Sequence, residues 1–238
     1  MLLKFLKKIK LLLFPKQITI WQRNSYSQVG EDVILSFLFA DKKVTSINYL
    51  DIGTNMPSDC NNTYLFYMRG FRGVCVEADR SLIPAIQQLR PNDKVINAGV
   101  SVSGDSTADF YIFNLKGINT FDKAEAEKRG SSGIYRIEEV VKVPLVNINK
   151  LIKDNFTTYP DLLSIDIEGL DLAVLKSLDF GSYPIPVICV ETCTYSENHV
   201  RPKDLSIGEF IISKGYEIYA DTYVNTIFVN KIWFYSDI

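Results

Sequence analysis

The stretch YLDIGTNMPSDCNNT, residues 49–63, combines a strand-like apolar run with an abrupt end. Tyr49 and Ile52 are apolar, whereas Asp51 stands between them and Gly53 follows directly. Small polar residues then take over. A carboxylate and a glycine placed where a buried strand ends are typical of the edge of a parallel sheet at which ligands bind.

The elements around this stretch alternate between strands and helices. Such alternation predicts an α/β fold whose mostly parallel sheet has right-handed crossovers and helices on both faces. The last two strand-like segments are close enough to pair, which predicts an antiparallel C-terminal edge. Strands are predicted at 47–52, 73–79, 94–101, 107–113, 138–146, 161–169 and 186–192 and in YEIYADT and NTIFVN; helices are predicted at 30–39, 63–70, 81–90, 171–178 and 206–215 and after Asn147 or Asn149.

The composition is that of a globular chain without a dominant charge. Of its 238 residues, 47% are hydrophobic and 23% are charged, which is ordinary for a protein with a sizeable core. The formal net charge of −2 argues against nucleic acid as a partner. The four cysteines lack a CxxC spacing, so we expect free thiols, a reducing compartment and no zinc site.

Residues 1–24 are predicted to form a basic arm ahead of a single domain at 25–238. The arm begins MLLKFLKKIKLLLFPK, in which lysines are interspersed among leucines up to Pro15. The apolar run is too short to span a bilayer, and it lacks the small-residue cleavage site of a signal peptide. Two interpretations have equal weight: residues 1–14 lie as an amphipathic helix on an anionic membrane surface, or they pack on the domain or on a partner subunit.

Acidic or small polar residues follow several of the predicted strands. Because the carboxyl ends of parallel strands meet at one edge of the sheet, we expect these residues to line a common site. Taken singly, each acid is also compatible with a helix N-cap or a solvated loop. The residues are Asp51, Gly53 and Asn55 after the first strand, Glu77 and Asp79 after the second, Asn97, Ala98 and Gly99 at the third, Asp166 and Glu168 before the central helix, and Glu191 on the next strand.

The separation of Gly53 and Glu77 along the sequence favours a ligand that carries a ribose. A carboxylate roughly 20 residues beyond a glycine turn accepts the two ribose hydroxyls in dinucleotide-binding folds. The chain lacks GxGxxG and GxxxxGK[ST], however, which disfavours a pyrophosphate ligand and an NAD-dependent oxidoreductase. S-adenosylmethionine is a nucleoside ligand without a pyrophosphate, and Asp51 would hold its ammonium group.

Several segments resemble one family of methyltransferases. YSQVGEDVIL (26–35) resembles the SQxGEDxxL signature of the FkbM family, and LLSIDIEGLDLAVLKSL is similar to its DxEGxE-type segment. The stretch from 49 to 79 and GYEIYADTYVNTIFV also look like parts of that family, so the resemblance extends over residues 25–229. It implies a class I methyltransferase Rossmann-like fold, S-adenosyl-L-methionine as cofactor, and O-methylation of a sugar or other hydroxyl.

The resemblance also implies roles for individual residues. Gln28 would offer its amide to the polar end of the cofactor, although its neighbours Glu31 and Asp32 equally suit the first turn of a helix. Asp171 stands where the family often has Glu, and the first turn carries fewer glycines than usual. The cofactor-binding residues implied are Gln28, Asp51, Gly53, Asn55, Glu77, Asn97, Ala98 and Asp166.

Methyl transfer to a hydroxyl needs an aligned acceptor and a base that takes its proton. Asp166, Glu168 and Glu191 are the candidates for this catalytic role, and no metal is included. As an alternative, Asp166 and Glu191 would bind Mg²⁺ in a metal-dependent O-methyltransferase of a small natural product.

The resemblance therefore implies an O-methyltransferase that acts on a saccharide or glycan hydroxyl in polysaccharide biosynthesis, and the cysteines add the expectation that it is cytoplasmic. The arm at residues 1–14 would add a peripheral contact with the inner face of the membrane. A competing hypothesis is a non-catalytic scaffold that keeps the fold and docks a glycan assembly, although a scaffold needs no ribose carboxylate. The oligomeric state stays open, a homo-oligomer included.

Overall fold

The structure, a computed structural model, describes residues 24–102, 104–115, 117–131, 133–167, 169–193 and 202–236. Within these ranges the chain forms a seven-stranded sheet and a separate three-stranded sheet. The basic arm predicted at 1–24 lies outside the described residues except for its last position. Over the described part of the chain, no helix has the length and apolar character needed to cross a membrane.

The strands and helices follow the predicted order closely. The strands are β1 Asn48–Ile52, β2 Arg72–Glu77, β3 Lys94–Asn97, β4 Gly99–Ser101, β5 Thr107–Phe113, β6 Ile137–Asn147, β7 Leu162–Ile165, β8 Val187–Glu191, β9 Tyr216–Asp221 and β10 Asn225–Asn230. The helices are α1 Glu31–Asp41, α2 Tyr64–Met68, α3 Ile83–Leu89, α4 Lys123–Ser131, α5 Ile148–Asn155, α6 Asp171–Ser177, α7 Leu205–Ser213 and α8 Lys231–Phe234. Asn147, rather than Asn149, caps α5, because its side chain accepts from two backbone N–H groups of the first turn.

The large sheet has the order β3-β2-β1-β7-β8-β10-β9, in which β10 is antiparallel to both β8 and β9 and the remaining neighbours pair in parallel. The predicted fold class is thus confirmed: an α/β fold with a mostly parallel sheet and an antiparallel C-terminal edge. The strand order reverses between β1 and β7, which pair in parallel. In open α/β sheets this switch point is where a crevice opens at the carboxyl ends of the strands.

Alternate residues of the central strands point to opposite faces of the sheet, and each face has its own apolar core. Leu50 and Ile52 face the helices α5, α6 and α7, whereas Tyr49 faces α1, α2 and α8. Both faces are therefore covered, as the alternation of strands and helices in the sequence predicted. The four cysteines are free, also as expected.

The strand predicted at 94–101 is divided between the two sheets. The Asn97 side chain donates to the backbone oxygens of Glu77 and Ala78, and Ala98 N donates to Glu77 O at 3.1 Å. These bonds end the pairing with β2, and the chain then enters the small sheet, ordered β4-β6-β5. Alternation of apolar residues could not reveal the change of sheet, because the same period continues through it.

The strand predicted at 161–169 ends earlier, at Ile165. Asp166 N still donates to Ile52 O at 3.1 Å, but the backbone then turns towards α6. Asp171 stabilises this turn, since its carboxylate accepts from Ile167 N and Gly169 N at 3.2 Å each. The strand predicted over 161–169 therefore does not include Asp166 and Ile167, and Glu168 lies outside the described residues.

Gly73 is predicted to be essential for the packing of β2 against β1. A Cβ at this position would lie 2.1 Å from Tyr49 Cδ2 and 2.4 Å from Tyr49 O. Gly73→Ala should therefore lower the free energy of unfolding by about 2 to 3 kcal/mol, measured by urea denaturation.

Gly208→Ala in α7 is the matched control, because its Cβ would meet nothing nearer than Phe228 Cζ at 3.9 Å. Removing a glycine from a helix should raise stability by about 0.5 to 1 kcal/mol. Equal changes in the two variants would contradict the packing argument.

Candidate functional site

A cavity of about 130 Å³ opens at the carboxyl ends of β1, β2 and β7. The small sheet and the loop before α4 close its other side. The predicted site residues that line it are Asp51, Gly53, Asn55, Glu77, Ala98 and Asp166. Gln28, Asn97 and Glu191 are not among its lining residues.

Gly53 allows two strand ends to meet at the floor of this cavity. It adopts φ +81°, and a Cβ there would lie 1.9 Å from the backbone oxygen of Asp166. Its N–H donates to Val76 O at 2.9 Å. The glycine that ends β1 is thus required by the close approach of the chain leaving β7, which places Asp166 beside Gly53.

Glu77 is a buried carboxylate held by the backbone. Its Oε2 accepts from Asn55 N at 2.8 Å and its Oε1 from Asp79 N at 2.7 Å. Burial raises the pKa of Glu77, and these two hydrogen bonds oppose the rise. Each carboxylate oxygen keeps a further lone pair, so Glu77 can accept two hydroxyl groups from a ligand.

Asn55 presents an unsatisfied oxygen at the same place. It adopts the left-handed region with φ +51°, where asparagine is tolerated best among residues with a side chain. Its Oδ1 is buried and finds no hydrogen-bond partner among the described residues. Because an unpaired buried acceptor is costly, this atom points to a donor supplied by a ligand or by water.

Asp51 is buried beneath the cavity and accepts several hydrogen bonds through one oxygen. Its Oδ2 accepts from Thr63 Oγ1 at 2.7 Å, Asn61 Nδ2 at 3.1 Å and Arg90 Nη1 at 3.4 Å. Its Oδ1 makes no hydrogen bond to any residue in the described ranges. Burial raises the pKa of Asp51, while Arg90, Thr63 and Asn61 counteract that rise.

Arg90 is a component that the sequence analysis missed. The side chain is fully buried, and its Nε donates to Asp93 Oδ2 at 2.8 Å. Asp93 also accepts from Tyr49 OH at 2.8 Å and from Gly73 N at 2.9 Å. The only sequence signal was an Arg/Asp pair three residues apart at a helix end, which usually indicates a surface ion pair.

The two acidic residues of the SQxGED segment have structural roles. Asp32 accepts from Ser25 Oγ, Tyr26 N and Ser27 Oγ at 2.7 to 2.9 Å and so folds the chain back before α1.

Glu31 joins the start of α1 to the C-terminal hairpin, because its Oε1 accepts from Thr222 at 2.7 Å and Asn225 at 3.0 Å. Burial tends to raise the pKa of Glu31, but these bonds and one from Val29 hold it below its usual value. Gln28 is exposed and stays a prediction as a cofactor contact.

Two other predicted site residues, Glu191 and Asn97, do not line the cavity. Glu191 ends β8 opposite Asn225 and accepts from Cys193 Sγ at 3.5 Å. Asn97 supports the cavity from behind through its bonds to the end of β2. No group of three or more His, Cys, Asp or Glu side chains suited to a metal ion occurs in the described portion of the chain.

An aromatic wall from the small sheet completes the cavity. Phe110 and Phe121 pack with ring centroids 4.6 Å apart, and Gly99 leaves the space for Phe121. Leu82 and Val100 extend this apolar side. Residues 117 and 119–121, in the polar segment between β5 and α4, also line this cavity. A flat apolar slot beside a buried carboxylate suits a nucleoside.

The cavity lies at the carboxyl ends of parallel strands beside the switch point, which is where nucleotide-binding α/β proteins hold their ligands. A family model, described as the methyltransferase FkbM domain, matches residues 51–218, more than half of the chain. The chain therefore belongs to the FkbM methyltransferase family and is an S-adenosyl-L-methionine-dependent methyltransferase. No curated protein sequence matches it significantly.

Solved structures of other methyltransferases are similar over most of their length. They include a TehB-like SAM-dependent methyltransferase from Corynebacterium glutamicum, with 11% identity and a TM-score of 0.42 over 96% of both chains. The glycopeptide N-methyltransferase MtfA has 9% identity and a TM-score of 0.41 over 86% of this chain and 90% of that one. Magnesium protoporphyrin IX methyltransferase (ChlM) from Synechocystis PCC 6803 has 11% identity and a TM-score of 0.38 over 93% and 94%.

The residues present fit S-adenosyl-L-methionine, which carries a sulfonium and an ammonium. The described lining residues include the carboxylates Asp51, Glu77 and Asp166 but no lysine, arginine or histidine. An acidic cavity attracts a cationic ligand. The unpaired Oδ1 of Asn55 and the open lone pairs of Glu77 add acceptors for its hydroxyl groups.

The pKa of Glu77 predicts a pH dependence of stability. Because that pKa is raised in the folded state, its contribution is most favourable below the usual value of 4.5 and decreases as the pH rises towards the folded-state pKa. The loss amounts to about 1.4 kcal/mol for each tenfold difference in proton affinity.

Urea unfolding of wild type and Glu77→Gln from about pH 4 to about pH 8 measures this effect. The variant should gain stability relative to wild type as the pH rises. A difference that is constant with pH would show that the Glu77 carboxyl has the same pKa in the folded and unfolded states.

Proposed function

We propose that this methyltransferase transfers a methyl group to a hydroxyl of a saccharide in glycan biosynthesis. The observation that carries the proposal is the position of Asp166, which lines the same cavity as Asp51 and Glu77. A carboxylate beside the donor is what a hydroxyl acceptor needs, since the proton must leave as the new bond forms. The resemblance to the FkbM family supports the same acceptor class.

The cofactor would be held by residues on three strand ends. Glu77 would accept the ribose hydroxyls, and Asp51 would face the ammonium through its Oδ1. Ala98, Leu82 and Phe121 would enclose the adenine on the apolar side. Bound S-adenosyl-L-methionine supplies an electrophilic methyl group that is already activated by its sulfonium.

Asp166 would accept the proton of the acceptor hydroxyl. The close contact with Gly53 fixes its backbone, so the carboxylate leaves from a rigid point of the sheet edge. Glu168 and Glu191 stay candidates for the same role. We favour chemistry without a metal, because only Asp166 of the Asp166–Glu191 pair lines the cavity.

Tyr223 supports a saccharide as the acceptor. The residue is 58% exposed, in the turn between β9 and β10, and its backbone has φ +75°. The turn is fixed by Asp221 Oδ1, which accepts from Tyr223 N at 2.7 Å. The pairing of Asn225 with Glu191 puts this turn at the carboxyl edge of β8. An exposed aromatic ring at that edge offers a face to a sugar, with Lys203 Nζ 5.7 Å from the ring centroid.

The cellular location of the enzyme is also a proposal. We place the enzyme in the cytoplasm, at the inner face of the membrane, because its cysteines are free and its first 14 residues carry four lysines among apolar residues. There it would meet a glycan acceptor during assembly.

Asp166→Asn is expected to lower kcat by about 100- to 10,000-fold, because the amide cannot take the hydroxyl proton. The assay uses isotopically labelled S-adenosyl-L-methionine and oligosaccharides from cells that lack the enzyme, with mass spectrometry of the product. Glu209→Ala, an exposed change on α7, is the control. A product label that is released by mild alkali would contradict O-methylation of a hydroxyl, since a methyl ether survives and a methyl ester does not.

Tyr223→Ala should raise KM for the oligosaccharide by about 10-fold, since an aromatic contact of this kind contributes about 1.4 kcal/mol. Tyr223→Phe keeps the ring face and should stay close to wild type. The dissociation constant of S-adenosylhomocysteine, measured by calorimetry, should not change in either variant. An unchanged KM in Tyr223→Ala would remove this support for a saccharide.

A further inference from the structure

We propose that Arg90, which does not line the cavity, is a positioning residue that presents one oxygen of Asp51 to the ammonium group of the cofactor. The inference rests on the proposed role of Asp51. Arg90 lies behind Asp51, fully buried, and contacts the loop that follows β1. Its effect on the cofactor would pass through the side chains of that loop.

The guanidinium distributes its N–H groups over four acceptors. Nη2 donates to Thr63 Oγ1 at 2.9 Å, and Nη1 lies 3.3 Å from Asn61 Oδ1 and 3.4 Å from Asp51 Oδ2. Nε donates to Asp93 Oδ2 at 2.8 Å. Arginine has five N–H donors in a fixed planar geometry and no acceptor, so each partner must turn an oxygen towards it.

This constraint sets the direction of the Thr63 hydroxyl. Because Thr63 Oγ1 accepts from Arg90, its single proton must be donated elsewhere. Asp51 Oδ2 lies 2.7 Å away, whereas the other neighbour, Asn61 Oδ1, lies 3.1 Å away. Asn61 Oδ1 already accepts from the backbone N–H groups of Thr63 and Tyr64 as well as from Arg90. The proton of Thr63 is therefore directed to Asp51.

The same constraint orients the amide of Asn61. Since its Oδ1 faces Arg90, its Nδ2 faces the opposite way and donates to Asp51 Oδ2 at 3.1 Å. All the hydrogen bonds that Asp51 accepts from the described residues then end on its Oδ2. Oδ1 of Asp51 keeps its lone pairs for a cationic ligand in the cavity.

Arg90 is itself held from behind. Asp93, which accepts its Nε, is fixed by Tyr49 of β1 and by the backbone of Gly73 in β2. The guanidinium carbon also lies 5.4 Å from the centroid of the Tyr49 ring. With two carboxylates and one guanidinium, the cluster of Asp51, Asp93 and Arg90 retains a net negative charge when all three are ionised. That charge favours an ammonium over a neutral group.

Two ligands separate positioning of Asp51 from a general effect on the cavity. S-adenosylhomocysteine carries the amino acid moiety, and 5′-methylthioadenosine lacks it while keeping the adenosine. The dissociation constant of methylthioadenosine divided by that of S-adenosylhomocysteine, both measured by calorimetry, reports the contact with the amino acid moiety alone. In Thr63→Val, which removes the hydroxyl but keeps the shape, this ratio should shrink by about 10-fold because a hydrogen bond to a charged group is lost. Methylthioadenosine binding should not change.

Arg90→Met should shrink the ratio at least as much as Thr63→Val. Thr63→Ser keeps the hydroxyl and should restore most of the ratio. Thr45→Val, an exposed change of the same chemistry, is the control for the substitution itself. If Arg90→Met does not fold, Thr63→Val alone tests whether Arg90 orients Asp51 through Thr63.

Asp51→Asn separates the role of Asp51 from the role of Arg90. A ratio unchanged in Asp51→Asn would overturn the role of Asp51, and with it the inference. A ratio reduced in Asp51→Asn but unchanged in Thr63→Val would leave Asp51 in place and overturn the role of Arg90. Equal weakening of both ligands in Thr63→Val would likewise overturn it, because Arg90 would then only shape the cavity.

Discussion

The buried guanidinium of Arg90 joins the elements that carry the site. It connects the end of α3 to the loop after β1 through Thr63 and Asn61, and to β1 and β2 through Asp93. Burying such a charge costs free energy unless geometry and hydrogen bonding are nearly complete. Here the donors meet matched acceptors, so the cluster fixes the loop between β1 and α2 in one conformation.

This rigidity matters because the cavity contains groups that do not favour folding. Glu77 is a buried carboxylate without a cation beside it among the described residues, and Asn55 combines a left-handed backbone with an unpaired Oδ1. Each of these features costs stability and persists only where the surrounding structure determines it. A ligand that supplies hydroxyl donors and positive charge relieves the same costs. The arrangement is therefore better explained by binding than by stability.

The small sheet gives the cavity its second side. It is inserted after Asn97, where side-chain bonds from Asn97 end the pairing of β3 with β2, and it returns to the large sheet through α5. Phe110 of β5 and Phe121 of the loop before α4 line the same cavity as acidic residues from the large sheet. One side thus offers apolar surface and the other offers acceptors, which is the division that a nucleoside with a charged substituent requires.

The sequence by itself determined the order of the elements, the parallel sheet and the placing of Asp51, Gly53, Glu77 and Asp166 at one edge. These features follow from periodicity and from the rule that parallel strands end together, both of which are local or topological. Tertiary structure alone decided the partners of Arg90, the division of 94–101 between two sheets and the part of Phe121 in the cavity. Arg90 and Asp51 are 39 positions apart in the chain, and hydrogen bonds across such distances depend on how whole elements pack. No periodicity in the sequence encodes them.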